Sequence, residues 1–177
     1  MFNAVIKGVG SYVPENRLTN HDLERLVETS DEWIRTRTGI VERRICGPTE
    51  ATSDLAYFAA QAALANAGIS PADIDQIIVA TETPDHVFPP VACQIQNRLG
   101  CRNVGAYDIH STCVGFLSGL QVAEQYVKLG THKHVLVIGA DSLSRFTDYT
   151  DRVTCVLFAH GAGAFVVSRG DASGPKG

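Results

Sequence analysis

Cys113 has the strongest chemical potential in the sequence, standing in the run Tyr107-Asp108-Ile109-His110-Ser111-Thr112-Cys113-Val114-Gly115-Phe116. Residues 104–109 are apolar-rich and read as a buried strand, and from Cys113 a helical pattern continues to about residue 128. A thiol at such a junction meets free backbone N–H groups and the positive end of a helix dipole, a setting that favours thiolate. From position alone, Cys113 reads either as a nucleophile or as a small buried residue at a helix start. The other cysteines, Cys46, Cys93, Cys101 and Cys155, bring the total to an odd five. They are widely spaced, lack a CxxC pair, and have no His or Cys neighbours in a ligand pattern. Neither a disulfide framework nor a metal centre is expected, and most of these thiols are expected to be buried.

Around that junction the chain alternates apolar strands with helices. Residues 4–13 read as a strand. Thr19-Asn20-His21-Asp22 has the form of a capping box opening a short helix to residue 27, and Thr29-Ser30-Asp31-Glu32 repeats the form before a helix that ends at Gly39. Residues 40–45 alternate as a strand. Residues 52–67 are alanine-rich and stop at Gly68, the clearest long helix, and Ser70-Pro71 opens a further helical turn. Strand 76–81, loop 83–90, helix 91–99 and strand 134–140 follow. A polar loop over 141–152 comes next, then a glycine turn at 161–163 and a last strand. This order predicts an α/β fold with a mainly parallel sheet and helices on both faces. One domain over residues 1–170 is expected, with 171–177 a polar tail or the start of a linker.

With 177 residues, 45% hydrophobic content and a net charge of −4, the composition fits a soluble globular protein and gives no reason to expect nucleic acid as partner. No apolar run reaches the length of a membrane span. The N-terminus lacks the pattern of a secretory signal, so a cytoplasmic location is expected.

Residues 29–40, Phe88-Pro89, Ala92-Cys93-Gln94-Ile95-Gln96, Cys113-x-Gly115-Phe116 and Gly161-Ala162-Gly163-Ala164 together resemble the 3-oxoacyl-[acyl-carrier-protein] synthase III family of the thiolase superfamily, over nearly the whole chain. The resemblance implies the N-terminal half of a thiolase-like fold. It also implies a cytoplasmic homodimeric transferase of fatty acid biosynthesis, with no permanently bound cofactor. Cys113 would take an acyl group from acyl-CoA and pass it on in decarboxylative condensation with malonyl-acyl carrier protein. Trp33, Arg37 and Arg152 match positions that bind the nucleotide end of coenzyme A. Phe88 matches the residue that reaches toward the acyl pocket of the dimer partner, and Leu143 and Phe158 match acyl-pocket positions. The helix after Cys113 would be buried against the other half of the fold, and glycines at Gly115 and Gly119 imply close approach of a neighbour.

The family's catalytic histidine and asparagine lie in the half that this sequence does not match, so the 177-residue chain alone is expected not to condense. His110-Ser111-Thr112 stands where relatives carry small residues, and His160 stands where they carry an acidic one. His110 reads as a satisfied structural histidine or as a pocket residue. Two alternatives remain beside the synthase: a specialised acyl transferase or thioesterase of the family in secondary metabolism, or a non-catalytic half-fold interaction module.

Overall fold

Alanine at the sheet-facing positions of residues 52–67 leaves this helix a flat apolar side, and the strand beneath carries glycine where the two meet. In the computed structural model, which describes residues 1–170, the elements run β1 (Asn3–Tyr12), β2 (Asn16–Thr19), α1 (Asn20–Leu23), α2 (Asp31–Thr38), β3 (Glu42–Ile45), α3 (Thr52–Ala67), β4 (Gln76–Ala80) and α4 (Val91–Leu99). β5 (Gly105–Ile109), α5 (Gly115–Lys128), β6 (His134–Ser142), α6 (Arg152–Cys155) and β7 (His160–Gly170) complete them. The tail or linker read at 171–177 lies outside the described residues.

Five strands form one sheet in the order β1-β7-β6-β4-β5, and β2 pairs with β3 in a separate ribbon. β4 is parallel to both β5 and β6. β7 is antiparallel to β6 and to β1, so four of the five strands share a direction. Alternation along the strands then divides the core. Ile77, Val79, Leu136, Ile138 and Val166 pack with α3 and α4 on one face, whereas Ile78, Val135, Val137 and Val167 pack with α5 on the other. The expected α/β sheet with helices on both faces is what forms.

Close packing explains the glycines. A Cβ at Gly10 would fall on the backbone of Ala59 and Ala63, and one at Gly8 would lie 2.6 Å from Ala67 Cβ. On the other face, a Cβ at Gly119 would lie 3.0 Å from Val137 Cγ1, and one at Gly115 3.2 Å from Ala80 Cβ. These are the approaches predicted for α5. α3 and α4 keep their expected bounds, with left-handed glycines Gly68 and Gly100 ending them. Asp22 and Thr19 close the predicted capping box at α1, although regular helix there ends at Leu23 rather than at residue 27.

Three expectations change. β5 is an edge strand whose residues are exposed to half-buried, because only β4 pairs with it. The glycines at 161–163 form no turn: they lie within β7, where Gly161 pairs with Asp141 and Gly163 with both Gly139 and Ser11. Of the five thiols, Cys155 alone is buried, and Cys113 is exposed.

Candidate active site

β4, β5 and β6 run side by side and end together, so the residues that follow them share one rim of the sheet, the place where parallel sheets commonly bind ligands. Glu82 lies two residues past β4, His110 to Thr112 follow β5, and Asp141 is the last residue but one of β6. Cys113 lies in a single tight turn, Thr112–Val114, and α5 begins at Gly115. The thiol thus sits one turn ahead of the regular helix. It opens onto a cleft of about 410 Å³, lined also by Phe116, Asp141, His160, Gly161 and Gly163. A Cβ at Gly163 would meet nothing within 4 Å: the glycine leaves space for an occupant. Burial pushes the thiols of Cys46, to about 11, and of Cys101 and Cys155 upward, so those three are held as thiols.

The turn before Cys113 is unusual. Thr112 has φ 45, and it is the one non-glycine residue with positive φ among the described residues. A β-branched residue in that region costs of order 1–3 kcal/mol. Its N–H donates to Glu82 Oε1 at 2.6 Å. One residue beyond Ser111, His110 Nδ1 lies 2.6 Å from Thr81 O; a carbonyl only accepts, so Nδ1 carries the proton. His110 is therefore a satisfied histidine bracing the loop after β4.

His160 is buried, and both ring nitrogens face backbone donors: Cys46 N lies 2.7 Å from Nδ1 and Ser144 N 3.1 Å from Nε2. A neutral imidazole has a single acceptor nitrogen, so this cradle is built for two acceptors and the ring satisfies one.

A second cluster gathers the three residues matched to nucleotide binding. Trp33 and Arg37 share α2, one turn apart, and Arg152 opens α6. Arg37 Cζ lies 4.5 Å and Arg152 Cζ 4.9 Å from the Trp33 ring centroid, distances at which guanidinium and indole attract. Arg152 also donates to Glu28 O at 3.1 Å. None of the three lines the Cys113 cleft. Phe88 stands on the loop after β4 with 83% of its surface exposed. Leu143 and Phe158 lie just outside the last β6–β7 pair, Ser142 with His160, half-buried and exposed respectively, and do not line the cleft.

Among the described residues, no group of three or more His, Cys, Asp or Glu side chains could hold a metal ion, and no helix is long and apolar enough to cross a membrane.

The sequence model for 3-oxoacyl-[acyl-carrier-protein (ACP)] synthase III matches residues 107–176. The β-ketoacyl-[acyl-carrier-protein] synthase III of Geobacillus kaustophilus is 58% identical over 164 residues, which are 93% of this chain and 53% of that protein. Over this length the chain matches the N-terminal half of members of the 3-oxoacyl-[acyl-carrier-protein] synthase III family. It spans about half the length of the curated relatives it matches. The crystal structure of the synthase III from Aquifex aeolicus superposes with a TM-score of 0.92 at 50% identity, covering 95% of this chain and 54% of that one. The priming β-ketosynthase of the R1128 polyketide pathway gives 0.93 at 37% identity, covering 96% and 51%.

Two residues of this site, Glu82 and Asp141, carry no role in the sequence analysis. Asp141 Oδ1 accepts from Glu82 N at 2.8 Å and from the hydroxyls of Thr81 and Thr83 at 3.2 Å each. The signal was available in part: acidic residues directly after two buried strands mark the carboxyl rim of a parallel sheet.

Proposed function

We propose that Cys113 is the acyl-accepting nucleophile of a β-ketoacyl-ACP synthase III-type transferase in fatty acid biosynthesis, to which this chain contributes the N-terminal half. The observation that carries the reading is an exposed thiol at the carboxyl rim of the sheet, opening onto a cleft with glycine-lined space, in a chain 58% identical to a named synthase III. The Cys113 thiolate attacks the thioester carbonyl of acyl-CoA. A new C–S bond forms and coenzyme A leaves as thiolate, so the acyl group is held as a thioester. Condensation with malonyl-acyl carrier protein then forms a carbon–carbon bond as carbon dioxide departs and releases the Cys113 sulfur.

Trp33, Arg37 and Arg152 form the binding site for the nucleotide end of coenzyme A: the indole offers a face to adenine, and the guanidinium groups offer paired donors to phosphate. Phe88, projecting from its loop, reaches the acyl pocket of a second copy in a homodimer, and Leu143 and Phe158 line the acyl channel. No cofactor is held permanently. Five free cysteines suit a reducing, cytoplasmic setting.

The test is incubation with radiolabelled acyl-CoA, using the full-length synthase that carries this sequence, followed by peptide mapping. A base-labile label on Cys113 that disappears in Cys113→Ala is expected; no label, or label surviving the substitution, sinks the reading. His160 in the cleft favours a second reading, a specialised acyl transferase or thioesterase of secondary metabolism. Product analysis with malonyl-acyl carrier protein separates the two, since only the synthase releases carbon dioxide.

A further inference from the structure

We propose that Glu82 is the positioning residue of this site: its carboxylate holds Thr112 in the left-handed region and so sets where the Cys113 thiol points. The inference rests on Cys113 being the reactive group, and it adds a residue whose side chain has no assigned role in the reading above.

Left-handed backbone at a threonine needs a local cause, because the branched side chain crowds its own carbonyl there. Neither Gly115 nor any other glycine relieves it at position 112. What is present is a 2.6 Å bond from Thr112 N–H to Glu82 Oε1, an acceptor oxygen carried to the turn by a side chain of just this reach. Glu82 is itself fixed. Its N–H donates to Asp141 Oδ1 at 2.8 Å, and that oxygen also accepts from the hydroxyls on either side of it, Thr81 and Thr83. His110 donates to Thr81 O at 2.6 Å. The loop after β4 therefore grips the loop after β5 at two points flanking Ser111. One is a backbone carbonyl holding a side chain, and the other a side chain holding a backbone N–H. Three strand ends are tied into one brace, and Cys113 is the next residue after its last tie. The two glutamate functions, charge and reach, predict opposite outcomes for conservative substitutions, which makes the role separable.

The experiment measures the second-order rate of Cys113 alkylation by iodoacetamide, read by mass spectrometry of the Cys113 peptide, with melting curves recorded in parallel. Glu82→Asp keeps the charge but shortens the reach by one methylene; it is expected to slow alkylation about fivefold, a modest share of what a misplaced reacting group can cost. Glu82→Gln loses the charge but keeps an oxygen at the same reach; it is expected to stay within about twofold of the wild type. Wild-type speed in Glu82→Asp, or a Glu82→Gln rate as slow as the aspartate variant, overturns the proposal. Should Glu82→Asp not fold, Glu82→Gln alone decides, and a fall of about fivefold or more sinks it. Alkylation needs no acyl donor, so failure of the acyl-transfer reading leaves this test standing.

Discussion

The two faces of the sheet are built from similar parts and finished differently. On one side α3 lies against β1 with Ala56, Ala59, Ala60 and Ala63 fully buried, and Gly8 and Gly10 allow backbone to approach backbone. On the other side α5 also approaches through glycine, at Gly115 and Gly119. Yet Val114 and Leu117, in and next to its first turn, are 53% and 59% exposed. The α3 face is a closed apolar contact, whereas α5 buries a stripe from Gly115 to Val127 and still leaves apolar side chains open beside its first turn. The open part of α5 is the end next to Cys113. Small residues thus serve stability on one face and leave the reactive end free on the other.

Breaking the closed face should have the largest effect. Gly10→Val drives a branched side chain into α3 backbone and should cost about 3 kcal/mol or more, or abolish folding, in urea denaturation. Gly119→Val presses on Val137 and Ile78 side chains, which can move, so a loss of about 1–3 kcal/mol is expected. A difference in the opposite sense would mean that the two faces do not differ as described.

A smaller effect should follow pH. Burial holds the imidazoles of His134 and His160 below their ordinary range; Lys133 pushes His134 the same way, and at His160 Arg145 adds to the lowering while Glu50 opposes it. The unfolded chain then takes up protons first, so stability is intact above the unfolded value, about 6.5, and declines as pH falls below it. At position 160 an imidazolium would set two donors against two backbone donors. Melting temperature should therefore drop between pH 7.5 and 5.5, and His160→Asp, which offers two acceptors to the cradle, should flatten the drop. The smallest effect is expected at the open end of α5, where Leu117→Ser should change stability by less than about 0.5 kcal/mol. A loss of several times that would show that this turn is covered.

Where local chemistry decides structure, the sequence was readable. α3 and α4 end at glycines that take positive φ, whereas the cap of α2 falls on Ser30, one residue after the Thr29 that the box form marks. β2 was missed because Asn16-Arg17-Leu18-Thr19 carries no apolar alternation and is a strand only through pairing with β3. The glycines of β7 look like a turn because turns and cleft-lining strands both need the absence of a side chain. The Cys113 junction was legible from periodicity, and Trp33, Arg37 and Arg152 from resemblance. Their convergence on one ring was not, since Arg152 is more than a hundred residues away in sequence. Nor were Glu82 and Asp141, whose roles come from three strand ends meeting.

The chain holds one tryptophan, and that residue is Trp33, with two guanidinium groups against its ring. Indole emission from these 177 residues therefore reports on a single place. Anything that slides an arginine away, or lays another aromatic plane on the ring, changes that signal, and the chain can be titrated optically without a label.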